Sequence, residues 1–264
     1  GVLKSGSAWM PDNQINGVDF VLPFRFSEGT WSLGTRGPVT LRIGEVENLV
    51  TARNITADLQ GDYPWTEDNP LLLTNVKVET LGGKITMQQL RMPQHDPALL
   101  RVENISSSEL ISAVNPKQFT MSGPVSGALP FWLDNEKWII KDGWLTNPGP
   151  MTLRIDKDTA DAIVKDNMVA GAAINWLRYM EISRSWTRIN LDNLGELTMQ
   201  ATIKGTSRVD GKSSSVNLNY THDENVFTLW RSLRFGDNLQ TWFEQHAAIP
   251  APRSLTGKES EEQQ

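Results

Sequence analysis

Gly37-Pro38-Val39-Thr40-Leu41-Arg42-Ile43 returns later in the chain as Gly149-Pro150-Met151-Thr152-Leu153-Arg154-Ile155. In both copies apolar residues alternate with polar ones, the period of a β-strand with one apolar face. Working outward, each copy is preceded by a Leu-Pro-Phe triplet, Leu22-Pro23-Phe24 and Leu129-Pro130-Phe131, and by a tryptophan, Trp31 and Trp138. A second echo follows each. Thr74-Asn75-Val76-Lys77-Val78 with Gly82-Gly83-Lys84-Ile85-Thr86-Met87 returns as Thr187-Arg188-Ile189-Asn190-Leu191 with Gly195-Glu196-Leu197-Thr198-Met199. The landmarks recur in one order about 110 residues apart, and such a repeat predicts related β modules in one elongated body.

The same alternation runs through most of the chain. Phe20, Leu22 and Phe24 share one face of a predicted strand. So do Val39, Leu41 and Ile43; Val76 and Val78; Ile85 and Met87; Leu129 and Phe131; Leu153 and Ile155; and Leu197, Met199 and Ile203. Gly82-Gly83, Asn193-Leu194-Gly195 and Asp210-Gly211 are turn signals between strands. The expected architecture is mainly β, an elongated, curved antiparallel sheet, apolar on one side and wet on the other. Residues 1–248 read as a single domain of two modules, about 17–120 and 121–220, with C-terminal helices over 224–246 and a disordered tail over 249–264.

Helix is expected in few places. Ser106 to Val114 reads as a short helix capped by one of Ser106, Ser107 or Ser108. Residues 158–180 carry Ala160, Ile163, Val164, Ile174 and Leu177 near one face and predict the longest helix, placed where the first module has none.

Composition narrows the function classes. The 264 residues carry a net charge of -6, against the basic stripe of nucleic-acid binders. There is no cysteine, so no disulfide or thiolate ligand exists. Mean hydropathy is -0.37, and no apolar run reaches about 18 residues, so no membrane-spanning helix is predicted. The start, Gly1-Val2-Leu3-Lys4, lacks Met and reads as part of a longer protein. His95, His222 and His246 stand at no metal-binding spacing, and neither a nucleophile elbow nor a phosphate loop appears. His95 reads as a surface turn residue, and His222 as a hydrogen-bonding residue just past a strand end. No catalytic residue, metal or cofactor is expected, and the chain is not read as an enzyme.

The apolar stripes fit either the interior of a closed sandwich or an open groove for acyl chains. A family resemblance bears on that choice. Met121-Ser122-Gly123-Pro124-Val125-Ser126-Gly127-Ala128-Leu129-Pro130-Phe131, then Ile140-Lys141-Asp142-Gly143-Trp144-Leu145, then Gly149 to Ile155, resembles a run found in bacterial AsmA-like proteins. The stretch from Asn219-Tyr220-Thr221-His222 to Phe235-Gly236-Asp237 resembles the C-terminal end of the YdbH-like members of that group.

The resemblance implies a periplasmic segment of a protein anchored in the inner membrane and reaching the outer membrane. It implies a β-taco with an open hydrophobic groove that carries phospholipid between the membranes, lined by the stripe residues named above. It also implies a small outer-membrane lipoprotein partner of the YnbE-like kind, bound by β-augmentation, and no nucleic acid. The competing expectation is a structural or docking β module that binds the lipoprotein by strand addition. An enzyme on a β scaffold is a third, without an acid–base pair to carry it.

Overall fold

The computed structural model describes residues 2–3, 6–10, 13–47, 50–114, 119–158, 178–209 and 211–228. In chain order its first strands are β1 (Val2–Leu3), β2 (Gly6–Met10), β3 (Asn13–Phe20), β4 (Leu22–Ser27), β5 (Thr30–Leu33) and β6 (Val39–Glu47). Then come β7 (Thr51–Tyr63), β8 (Leu71–Thr80), β9 (Gly83–Met92), β10 (Ala98–Ser106) and helix α1 (Ser107–Val114). The second half holds β11 (Phe119–Ser122), β12 (Pro124–Phe131), β13 (Trp138–Thr146), β14 (Met151–Ile155), β15 (Tyr179–Asp192), β16 (Glu196–Val209) and β17 (Lys212–Asn225).

All pairings are antiparallel, and the strands form one sheet that follows the chain as a meander. The spatial order is β2, β3, β6, β7, β8, β9, β10, β12, β13, β15, β16, β17. β4 and β5 prolong the β3–β6 hairpin, and β11 and β14 prolong β12–β13. Among the described residues β2 pairs only with β3 and β17 only with β16, so the sheet stays open.

The repeated Gly-Pro marks a strand break. Gly37-Pro38 lies between β5 and β6, and Gly149-Pro150 between β13 and β14. Proline has no N–H to give a ladder, so pairing is interrupted and then resumes on the same neighbour, β7 or β15. The hairpin turns are tight. Glu28-Gly29 and Leu81-Gly82 both have positive φ at each position, the backbone of a type I′ turn.

The halves are not superimposable copies. β7 lies between the two landmarks of the first half and has no strand counterpart in the described part of the second. Counting the antiparallel pairs, β8 runs opposite to β4, whereas β15 runs parallel to β12. The echoed hairpins therefore point in opposite directions across the sheet.

Bulges interrupt the ladders where Asn54, Asn75, Asn104 and Asp142 adopt positive φ. Asparagine and aspartate tolerate this region better than other non-glycine residues. Two of the bulged N–H groups are taken up by side chains from the facing strand. Asn104 N donates to Ser126 Oγ at 2.9 Å, and Asp142 N donates to Asn190 Oδ1 at 2.8 Å. Each bulge bends the sheet and adds right-handed twist.

Two helix expectations change. Tyr179 and Met180 belong to strand β15, not to a helix ending at Met180, because Met180 and Ile182 alternate with Glu181 and pair with Leu153 and Met151. Of the expected 158–180 helix, Asp158 is helical, as is Lys157 before it, and 159–177 lie outside the described residues. Glu224 and Asn225 end β17 rather than opening a helix; Val226 to Thr228 are helical and the rest lies outside the described residues. Helix α1 forms as expected, with Glu109 N donating to Ser106 Oγ at 3.3 Å.

Candidate functional site

Register decides which side chains share a face, since paired residues on adjacent strands point the same way. On one side Phe24 pairs with Leu33, Val39 with Leu59, Leu41 with Ala57 and Ile43 with Ile55. The row continues: Leu59 with Leu73, Leu73 with Leu90, Val76 with Met87, and Val78 with Ile85. Met87 then faces Leu100, which faces Leu129, and Ala98 faces Phe131. Farther on, Phe131 meets Ile140, Ile140 meets Leu191, and Leu191 meets Leu197. Ile189 faces Met199, Leu153 faces Met180, and Ile203 faces Leu218. Phe20 pairs with Leu41, Leu22 with Leu3 and Ile155 with Phe119.

Apart from Phe20, whose side chain lies outside the described ones, the stripe residues expected from the sequence thus fall on one continuous apolar face. They differ in depth. Val39, Met87, Leu153 and Ile155 are buried. Leu22, Phe24, Leu41, Ile43, Val76, Val78, Ile85, Leu129, Phe131, Leu197, Met199 and Ile203 are half-buried, part packed and part open.

Two patches hold Met87, Leu153 and Ile155, and Val39 belongs to neither. Met151, Leu153, Ile155, Met180 and Ile182 form one, with Ile203, Val216 and Leu218 against it. Met87, Leu90, Met92 and Ala98 form the other, with Leu71, Leu73, Leu100 and Phe131 against it. Sequence reasoning missed Met180, because the expected 158–180 helix was extended over it, and it also missed Ile182 just beyond. It also missed Leu59, Leu73, Leu100 and Leu145, whose alternation is legible once their strands are bounded.

The opposite face is polar. Arg53 Nε lies 3.2 Å from Glu45 Oε2, and Lys84 Nζ lies 3.2 Å from Glu103 Oε2. A concavity of about 940 Å³ lies among these charges around the Leu81-Gly82 turn and α1, away from the apolar face. Trp144 and Trp186 stack on the polar side with centroids 4.9 Å apart, and Trp186 is exposed. His95 is an exposed loop residue, its Nε2 2.6 Å from Glu67 Oε1. That contact, above all, holds the Glu67 carboxyl below its ordinary value. His222, expected past a strand end, lies inside β17, because the alternation continues unbroken to Glu224.

Among the described residues no three His, Asp or Glu side chains gather as a metal site, and no helix is long and apolar enough to cross a membrane. The face has the chemistry of a surface for hydrocarbon: no reacting group is needed, and each methylene removed from water contributes about 0.8 kcal/mol.

The comparison with known families decides the kinship. A family model described as YdbH-like, intermembrane phospholipid transport protein YdbH, matches residues 1–248. This chain belongs to the YdbH-like family. It is 78% identical, over all 264 of its residues, to the probable phospholipid transport protein YdbH of Escherichia coli (strain K12). It spans 30% of that relative's length. No solved structure matches the chain. For a YdbH-like chain the glycines of the resembling run have a physical reason. A Cβ on Gly123 would sit 2.6 Å from the Pro150 carbonyl oxygen, and one on Gly127 would collide with the Trp144 carbonyl oxygen.

Proposed function

We propose that this segment is part of a periplasmic conduit that carries phospholipid between the inner and outer membranes. The observation that carries the reading is the half-buried apolar face running unbroken across the open sheet. A closed sandwich would bury such a face fully; here acyl chains cover it, and their headgroups stay in water along the open side. The named relative's description supports phospholipid as the cargo. The groove lining is the stripe set from Phe20 to Ile203, with Leu41 and Leu129 among its open members and Val39 and Leu153 as its floor.

A photo-crosslinking residue at Leu41 tests this in the full-length protein. Lipid adducts form at Leu41 and not at Lys77, which points to the polar side. Adducts at Lys77 alone would place the lipid path on the wrong face.

The second part of the reading concerns β17. Its outer edge has no strand partner among the described residues, and an open edge takes an added strand through main-chain hydrogen bonds. The proposed partner is a small outer-membrane lipoprotein of the YnbE-like kind. A crosslinker at Asn217 captures it; capture only from β2 would move the docking to the other edge.

A further inference from the structure

Strand β17 places Val216, Leu218, Tyr220, His222 and Glu224 at alternate positions, so its last three inward residues are polar where Val216 and Leu218 are apolar. Their register partners on β16 are Ala201, Met199 and Leu197. The three polar side chains are linked. Tyr220 Oη lies 3.1 Å from His222 Nδ1, and His222 Nε2 lies 3.1 Å from Glu224 Oε2. Burial pushes the Tyr220 phenol up, so it remains an O–H donor. The phenol then donates to Nδ1, and Nε2–H donates to the carboxylate.

This leaves the Glu224 carboxyl group on an apolar face, one oxygen used by His222 and the other turned to solvent or a ligand. None of the three register partners on β16 carries a charge to neutralise it. The side chain is 33% exposed, so a ligand can reach it. It stands at the end of β17, beside the rim where Asn225 Nδ2 donates to the Leu194 carbonyl at 3.2 Å. A headgroup there is next to water. From Glu224 to Leu218 the strand advances about 20 Å at about 3.3 Å per residue. One leaflet of hydrocarbon is about 15 Å deep, half the bilayer core. A lipid held by its headgroup at Glu224 therefore lays its chains along the rings of Tyr220 and His222 toward Leu218 and Ile203.

We infer that Tyr220, His222 and Glu224 form a headgroup site selective for phospholipids bearing a primary ammonium. The ammonium donates to Glu224, while a headgroup with only a phosphate charge meets like charge. The inference rests on the conduit reading.

The test loads the full-length protein from vesicles of equimolar dioleoyl phosphatidylethanolamine and dioleoyl phosphatidylglycerol, then quantifies bound lipid by mass spectrometry. The wild type is expected to enrich phosphatidylethanolamine about threefold or more over the vesicles. Glu224→Gln returns the ratio to that of the vesicles, and Glu224→Lys inverts it. Equal loading of both lipids by the wild type, or undiminished enrichment in Glu224→Gln, overturns the headgroup site alone. Absence of bound lipid of either kind overturns the conduit reading and the site with it.

Discussion

Asn75 donates from its side-chain amide to Asp58 Oδ2 at 3.0 Å, across the ladder from β8 to β7. The other carboxylate oxygen accepts from Thr40 Oγ1 at 2.8 Å, so one aspartate ties three adjacent strands at a bulge. Asn75 is itself the bulged residue, at φ 52°.

These two hydrogen bonds, Asn75 first, hold the Asp58 carboxyl below its ordinary value. A folded-state pKa lowered this way contributes stability above the unfolded value of about 3.9, and that stability is lost as pH falls through the folded value. Asp58→Asn is expected to be less stable than wild type by about 1 kcal/mol or less at pH 7, since the group is near the surface. Urea midpoints at pH 7 and pH 3 check it: the gap between the two proteins narrows at pH 3. A gap that widens on acidification contradicts the assignment.

Stability and lipid loading should separate along the apolar face. Met180 is fully buried among Met151, Leu153, Ile155 and Ile182. Met180→Ala is expected to cost about 2–5 kcal/mol by leaving a cavity. Leu41 keeps part of its side chain open, so Leu41→Ala costs about 1 kcal/mol and lowers lipid loading instead. Urea titration and lipid quantification on both variants decide this. Equal stability losses would mean that Leu41 is floor rather than lining.

The glycines of the resembling run should differ sharply in tolerance. A Cβ on Gly127 meets the Trp144 carbonyl oxygen and comes within 2.9 Å of Leu145 Cα, both backbone atoms that cannot move aside. A Cβ on Gly149 meets only Pro124 Cγ, at 3.9 Å. Gly127→Ala is expected to destabilise by more than about 2 kcal/mol, a fall in Tm of about 5 °C or more for a chain this size. Gly149→Ala shifts it by less than about 2 °C. Thermal denaturation of the two variants provides the comparison, and matching shifts would remove close strand approach as the reason for Gly127.

The sequence by itself determined the strands and their apolar sides. Alternation such as Val39-Leu41-Ile43 depends on nothing beyond the two-residue period of an extended chain, and the Gly-Pro and Asn-Leu-Gly punctuation is local backbone chemistry. The tertiary structure alone decided what spans strands. Leu100 meets Leu129, and Met180 meets Leu153, only through register. Met180 itself looked like the end of a helix until its pairing with β14 outweighed the local periodicity. The opposed directions of the two echoed hairpins follow from the position of β7 in the order of pairing, which no spacing in the repeat reveals. The link from Tyr220 through His222 to Glu224 stands between these cases: the two-residue spacing is in the sequence. Its meaning depends on which face of β17 is inward, and that is fixed by the long-range contacts of β16 with β15, whose pairing energy no local stretch contains.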